Sequence, residues 1–450
     1  MVDARYQQAL DYIYSLIDYE KQPRPRDAVN YDLRRMDELL ARLGNPHLKA
    51  RTVHIAGSKG KGSVAAMIAS TLTASGYTTG LYISPHLHFF NERIRVDGTL
   101  IGDQELVALV EKIRPEVELV NKEATYGVLT TFELITVIGF AYFEQKGADF
   151  QVIEVGLGGR LDATNVVQPE VCIITSISLD HIEVLGDNLA EIATEKAGII
   201  KPDCVVVTAP QDDDAGRVIE EACSAQGVKL LKVGSDVTWR GLDFDSCQQS
   251  LRVEGRLVNY ELSIPLLGEH QLDNATVAVG ALEVLTERGF HVSAATISDG
   301  LAKVVWPGRL QVLRRNPLVI ADGAHNPASA RRLRQSLEKY FDFKKAILII
   351  GTSADKEIDG MVSELLPLFD KVIATHSIHP RAMTTEAVVA AVRRQGKEPH
   401  ETDDISVALP LALKMAEEGD LICVTGSLFV VAGAIEQAEL QSNDLSTGKD

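Results

Sequence analysis

The chain has 450 residues, 45% of them hydrophobic and 24% charged, a balance that excludes both a disordered chain and a membrane-embedded one. Its formal net charge of −18 argues against nucleic acid as a partner, since phosphate backbones are bound by basic faces; any anionic ligand would need a locally positive site. Its 5 cysteines lack a C-x-x-C pair, and neither a signal-peptide pattern nor an apolar run of spanning length is present, so a cytoplasmic protein with reduced thiols is expected.

At this length two domains are expected. The β-branched run 52–56 predicts a buried strand, and 63–75 predicts a small-residue helix. Between them Gly57-Ser58-Lys59-Gly60-Lys61-Gly62-Ser63 reads as a phosphate cradle. The turn aims backbone N–H groups and a helix N-terminus at one anion, Lys61 adds a mobile charge, and the Ser63 hydroxyl suits a phosphate-bound Mg²⁺. The spacing departs from the common P-loop pattern, with two residues between Gly57 and Gly60 and with Gly62 before the serine.

Further strands are predicted at 80–83, 150–155, 171–175 and 204–208. Their alternation with helices indicates an α/β fold with a doubly wound, mainly parallel sheet that binds ligands at the carboxyl ends of its strands. At those ends stand Ser84, a hard oxygen donor in Ser84-Pro85-His86-Leu87, and Glu154, a magnesium-holding carboxylate ahead of Gly156, Gly158 and Gly159. Asp180-His181 ends another strand, and His181 is a metal-ligand candidate. Lys196, on the helix pattern 188–198, reads by itself as a solvated lysine. Residues 230–264 alternate in short stretches and predict a small appended region of antiparallel hairpins. Helical periodicity returns at 274–288 and 294–304, and Trp306-Pro307-Gly308-Arg309 breaks it.

The boundary is placed there, giving a central domain at 1–308 and a smaller Rossmann-like α/β domain at 309–440, with a polar, frayed tail at 441–450. The second domain has predicted strands at 318–321, 345–351, 371–375 and 421–425. Asp322-Gly323-Ala324-His325-Asn326-Pro327 repeats the strand-then-polar-turn logic; Asp322 suits a ribose or an active-site lysine, and Arg309 a phosphate when domains close. Cys204 and Cys423 lie in apolar runs and are expected to be core fillers.

In order along about 6–438, these segments, with Glu92-Arg93-Ile94 and Glu195-Lys196-Ala197-Gly198, resemble the folylpolyglutamate synthase and dihydrofolate synthase family within the Mur ligase superfamily. The resemblance implies an ATP-dependent amide ligase that phosphorylates a pterin carboxylate and lets the amino group of glutamate displace the phosphate. It places ATP contacts on 57–63, Asn274, Arg309 and Asp322, and two Mg²⁺ ions on Ser84, Glu154, His181 and a carbamylated Lys196. It puts pterin contacts at Thr130, Thr131, Phe132, Glu133, Leu161, Asp162 and Ala163, and glutamate contacts at His325, Ser353 and His379. Catalysis would then fall to Lys61, Lys196, His181, Asp322 and His325. The implied partners are folate or dihydropteroate and L-glutamate, with a monomeric enzyme. The family's usual loop reads Gly-Thr-Asn-Gly-Lys-Gly, so Ser58 keeps a hydroxyl whereas Lys59 adds a charge expected to tighten phosphate binding. A muramyl-type peptide ligase is the nearest alternative and usually has a hydroxyl residue where Gly62 stands. A P-loop switch protein would carry an N-K-x-D motif, which is absent from the sequence.

Overall fold

A computed structural model describes residues 4–19 and 31–447, with side chains to residue 440. Two compact units emerge, one comprising Met1–Leu242, Ser250–Ile264 and His270–Val304, the other Asp243–Gln249, Pro265–Glu269 and Val305–Asp450. The first unit holds β1 (Arg51–Ala56), β2 (Thr79–Tyr82), β3 (Ile94–Val96), β4 (Thr99–Leu100), β5 (Phe150–Glu154), β6 (Pro169–Ile174), β7 (Val205–Thr208) and β8 (Lys229–Lys232). They form one sheet in the order β4-β3-β2-β5-β1-β6-β7-β8. Every pairing from β2 to β8 is parallel, and β3 and β4 add an antiparallel edge. The central strand β1 therefore ends between the ends of β5 and β6, and the turns after all three converge.

Residues 230–232, expected in a hairpin, belong to β8 and pair parallel with β7. The appended region is smaller than expected: β9 (Thr238–Phe244), β10 (Gln249–Glu254) and β11 (Asn259–Ile264) form a three-stranded sheet in the order β11-β10-β9. The turn between β9 and β10 belongs to the second unit.

The second unit is built on β12 (Gln311–Arg315), β13 (Leu318–Ala321), β14 (Ala346–Ile350), β15 (Lys371–Ala374), β16 (His400–Glu401) and β17 (Leu421–Thr425), in the order β12-β13-β17-β14-β15-β16. Only β12 is antiparallel. Strand β14 shows why these runs are apolar throughout. Ala346, Leu348 and Ile350 enter one core while Ile347 and Ile349 enter the core on the opposite face, so alternate side chains of a doubly covered strand are all buried. Cys204 and Cys423 are buried as expected, as are Cys172 and Cys223, whereas Cys247 is exposed. The final helix, Leu428–Thr447, carries the expected frayed tail as helix to Thr447. The expectations for residues 1–3 and 448–450 fall outside the described residues.

Candidate functional site

Gly57 follows β1 with φ 149°, and a Cβ there would run into Thr175 Oγ1 at the end of the neighbouring β6. Only glycine allows this approach. Gly60, at φ 93°, starts the helix Lys61–Ala74, and no side chain caps it. Its first N–H groups are thus directed at whatever lies beyond the turn. The cradle is narrower than the sequence implies, because the Ser58 and Lys59 N–H groups both donate to Ser176 O, at 3.0 and 3.1 Å.

Three lysines and two carboxylates surround this loop. Lys61 Nζ donates to Gly57 O at 3.3 Å and lies 4.0 Å from Glu154 Oε1. Glu154 ends β5 and its other oxygen accepts the Ser84 N–H at 3.3 Å, which brings the turn after β2 to the same point. Lys196 Nζ donates to Gly57 O at 3.0 Å and is only 4% exposed, so the solvated reading of this lysine is overturned. Gly159 permits that burial, since a Cβ there would meet the Glu195 and Lys196 carbonyl oxygens at 2.8 and 2.9 Å. Burial, followed by the nearby Lys61 charge, lowers the Lys196 ammonium pKa to about 7. Lys59 Nζ donates to Asp180 Oδ2 at 2.8 Å, and Asp180 Oδ1 accepts the His181 N–H at 3.1 Å. His181 adopts φ 51°, and its side chain is 42% exposed. Asn274, distant in sequence, lies against the loop, its Oδ1 facing the space a Cβ on Gly60 would need, while its Nδ2 donates to Gln271 at 2.9 Å. Against a net charge of −18, the loop is a local concentration of cations.

Of the expected pterin contacts, most are committed to the fold. Thr130 and Glu133 form a capping box on the helix Thr131–Gln145, and Glu133 also accepts from buried Arg35 at 2.7 Å. The Thr131 hydroxyl donates to Ile13 O and lies within bonding distance of Leu16 O, 3.1 and 3.2 Å away. Asp162 accepts the Leu157 N–H at 2.8 Å and the Thr164 N–H at 3.0 Å, which fixes the glycine run, and Ala163 is in the core. Leu161 and Phe132 stay partly exposed, and the Phe132 ring fills the space that a Cβ on Gly156 would take. The sequence reading missed the network behind this run, in which His54 Nε2 lies 2.9 Å from Thr164 Oγ1, itself 2.5 Å from Asp162 Oδ1.

In the second unit the polar turns again follow parallel strands. Asp322 accepts the Leu310 and Ala324 N–H groups, both at 2.9 Å; burial raises its carboxyl pKa despite the Arg309 charge. His325 Nδ1 is 2.8 Å from Gly323 O, an atom that can only accept, so Nδ1 carries the proton and neutral His325 keeps its lone pair on Nε2. His379 has the opposite tautomer: its Nδ1 accepts the Arg381 N–H at 3.2 Å, which leaves the ring proton on Nε2. Its ring stacks on Phe429 at 4.0 Å. Ser353 is nearly buried and bridges to Ala382. Thr352 Oγ1, Thr375 Oγ1 and Arg381 Nε are buried without a hydrogen-bond partner.

The chain matches the model of the Mur ligase middle domain over residues 55–282 and that of the Mur ligase glutamate ligase domain over residues 308–428. It is 34% identical over 449 residues to the dihydrofolate synthase/folylpolyglutamate synthase of Bacillus subtilis, covering 95% of this chain and 97% of that one. It is likewise 34% identical over 444 residues to the folylpolyglutamate synthase of Lacticaseibacillus casei, covering 97% and 99%. Among solved structures, Mycobacterium tuberculosis folylpolyglutamate synthase complexed with ADP and AMPPCP superposes with a TM-score of 0.87 at 32% identity, covering 99% of each chain. E. coli FolC in complex with DHPP and ADP gives 0.85 at 29% identity, covering 97% and 98%.

Proposed function

The chain belongs to the dihydrofolate synthase and folylpolyglutamate synthase family of Mur ligases, and on that premise we propose that it joins the amino group of L-glutamate to a carboxyl group of dihydropteroate or of a folate. It is an ATP-dependent ligase. In the proposed reaction a substrate carboxylate oxygen attacks the γ-phosphorus of ATP and ADP leaves. The glutamate amine then attacks the acyl carbon, releasing phosphate and losing a proton.

The observation that carries this reading is the Lys61 ammonium, held between Gly57 O and Glu154 at an uncapped helix start. ATP and a carboxylate repel each other, and this is where fixed positive charge can screen them and stabilise the transferring phosphoryl group. Lys61 and the helix N-terminus are assigned to the outer phosphates, and Asn274, Arg309 and Asp322 to the rest of the nucleotide. Glu154 and the Ser84 hydroxyl are hard oxygen donors on adjacent turns, a set that fits Mg²⁺, which commonly takes one or two carboxylates and completes its shell with phosphate oxygens and water. His181 is assigned as a further ligand. Bound there, the ion would neutralise phosphate charge. Lys196, its ammonium pKa lowered to about 7, has a substantial free-base fraction at neutral pH, the form that takes up CO₂ and becomes a carbamate oxygen donor.

For the second step, His325 Nε2 is assigned to receive the amine proton, and the His379 Nε2–H, with Ser353, to bind a glutamate carboxylate. The enzyme is taken to be a cytoplasmic monomer; no helix among the described residues is long and apolar enough to cross a membrane. Phosphate release from MgATP, measured with glutamate and with dihydropteroate or tetrahydrofolate in turn, tests the assignment. Turnover is expected only with both glutamate and one pterin, and turnover that needs neither would refute it.

A further inference from the structure

Beyond the ligase chemistry, the phosphate loop is fastened to the segment after β6 in a regular way. Ser176 O accepts the Ser58 and Lys59 N–H groups, Ser178 O accepts the Ser58 hydroxyl at 2.9 Å, and Asp180 Oδ2 accepts the Lys59 ammonium at 2.8 Å. The anchoring residues are Ser176, Ser178 and Asp180, three alternate positions of the turn that follows β6. Ile177 between them turns into the core and Leu179 turns outward, 55% exposed.

The last link is the only one made by opposite charges, and it is shielded, with the Lys59 and Asp180 side chains 19% and 12% exposed. Such a pair holds its geometry better than an exposed one. Through its second oxygen, the same carboxylate holds the N–H of His181, a residue in the left-handed region at the start of the short helix Ile182–Leu185. Lys59, Asp180 and His181 thus form one chain of contacts that starts at the loop.

We propose that Lys59 is a positioning residue, whose ammonium fixes the Asp180-His181 turn through the carboxylate instead of binding phosphate itself. This rests on the ligase reading, in which His181 is a metal ligand. Lys59 acts on metal affinity through Asp180, and loss of either partner should have the same consequence. The asparagine usual at this position in the family is neutral and short, so Lys59→Asn removes the pair while preserving the family's loop.

The test uses the full chain and measures Mn²⁺ binding to the enzyme–ADP complex by electron paramagnetic resonance, and ADP binding in EDTA by calorimetry. Lys59→Asn and Asp180→Asn should each weaken Mn²⁺ binding about tenfold or more, the range for groups that orient metal ligands. The double variant should be no worse than the poorer single one, because the two residues act as one unit. Lys59→Arg, which keeps the charge, should stay near wild type, as should the ADP affinity of Lys59→Asn without metal. The proposal is overturned if Lys59→Asn leaves Mn²⁺ binding intact. It is equally overturned if that variant loses ADP affinity in EDTA while Asp180→Asn does not, the mark of a phosphate contact. Failure of wild-type enzyme to turn over with glutamate and a pterin would sink the ligase reading while leaving these binding results to stand by themselves.

Discussion

The loop after β1 and the polar turns after β13, β14 and β15 occupy the same place in their sheets, yet they are held in different ways. In the first unit, side chains lock the site: Lys59 to Asp180, Lys61 and Lys196 to Gly57 O, and Glu154 to the Ser84 N–H. In the second, much of the fastening is by backbone and hydroxyl groups, as where Thr425 Oγ1 donates to Asp322 O at 2.8 Å and Gly426 N donates to Ala324 O at 3.0 Å. Near the turns after β14 and β15, Thr352 Oγ1, Thr375 Oγ1 and Arg381 Nε are buried without hydrogen-bond partners, and beside the first loop Ser178 Oγ is in the same position. A site that receives a highly charged phosphate gains from cations fixed in advance, because no reorganisation is then needed as charge develops. The second unit retains unmet hydrogen-bonding capacity near the residues assigned to glutamate.

The sharpest way to break this contrast is Lys61→Met. If the cation is pre-placed for phosphoryl transfer, phosphate release should fall about a thousandfold, the upper range for removing one group that stabilises developing charge. Melting temperature should hardly move, because Lys61 is not a core residue. A fall of less than tenfold would mean that the loop's charge does not serve the reaction. Next in size is Lys196→Ala, expected to cost about a hundredfold in the same assay, with partial rescue by short carboxylic acids replacing a carbamate. Full activity in that variant would remove Lys196 from the site and leave it a purely structural contact of Gly57.

How much of this was legible depends on whether the signal was local. The loop 57–63, Glu154 and Asp322 could be read because strand, turn and helix follow one another within a dozen residues. The burial of Lys196 could not, since it arises from a helix packing on the glycine run 156–159, a long-range contact with no periodicity of its own. Asn274 was located by family resemblance alone; nothing in its helix pattern points to Gly60. The edge strands β4 and β16, two residues each, are too short and polar to stand out. In one case the signal was present but was passed over. Thr130-Thr131-Phe132-Glu133 has the spacing of a capping box, and the structure uses Thr130 and Glu133 to begin a helix.

A smaller test bears on the second unit. Thr375 is fully buried, and its hydroxyl has no partner. Valine has nearly the same shape without the polar atom, so Thr375→Val should raise stability by about 1–2 kcal/mol in guanidinium unfolding. Destabilisation would show that Thr375 has a partner in solution, and the contrast between the two regions would weaken accordingly.

The smallest expected effect probes the buried support beneath the first site. His54 is enclosed on β1, and burial, followed by the Lys201 charge, lowers its pKa from 6.5 to about 3. With Asp162 ionised, the Thr164 hydroxyl donates to it and must accept from His54, so the ring carries its proton on Nε2 and stays neutral. Below pH 6.5 the unfolded chain takes up a proton that the folded chain refuses, so this residue's contribution to stability falls as pH drops toward 3 and is fully present above 6.5. Between pH 7.5 and 5.5 the loss should be about 1.4 kcal/mol. His54→Gln, which keeps an amide to reach Thr164, should be less stable at pH 7.5 but should lose about that much less on acidification. If wild type and variant show the same pH slope, His54 titrates normally, and the glycine run is not supported by a neutral imidazole.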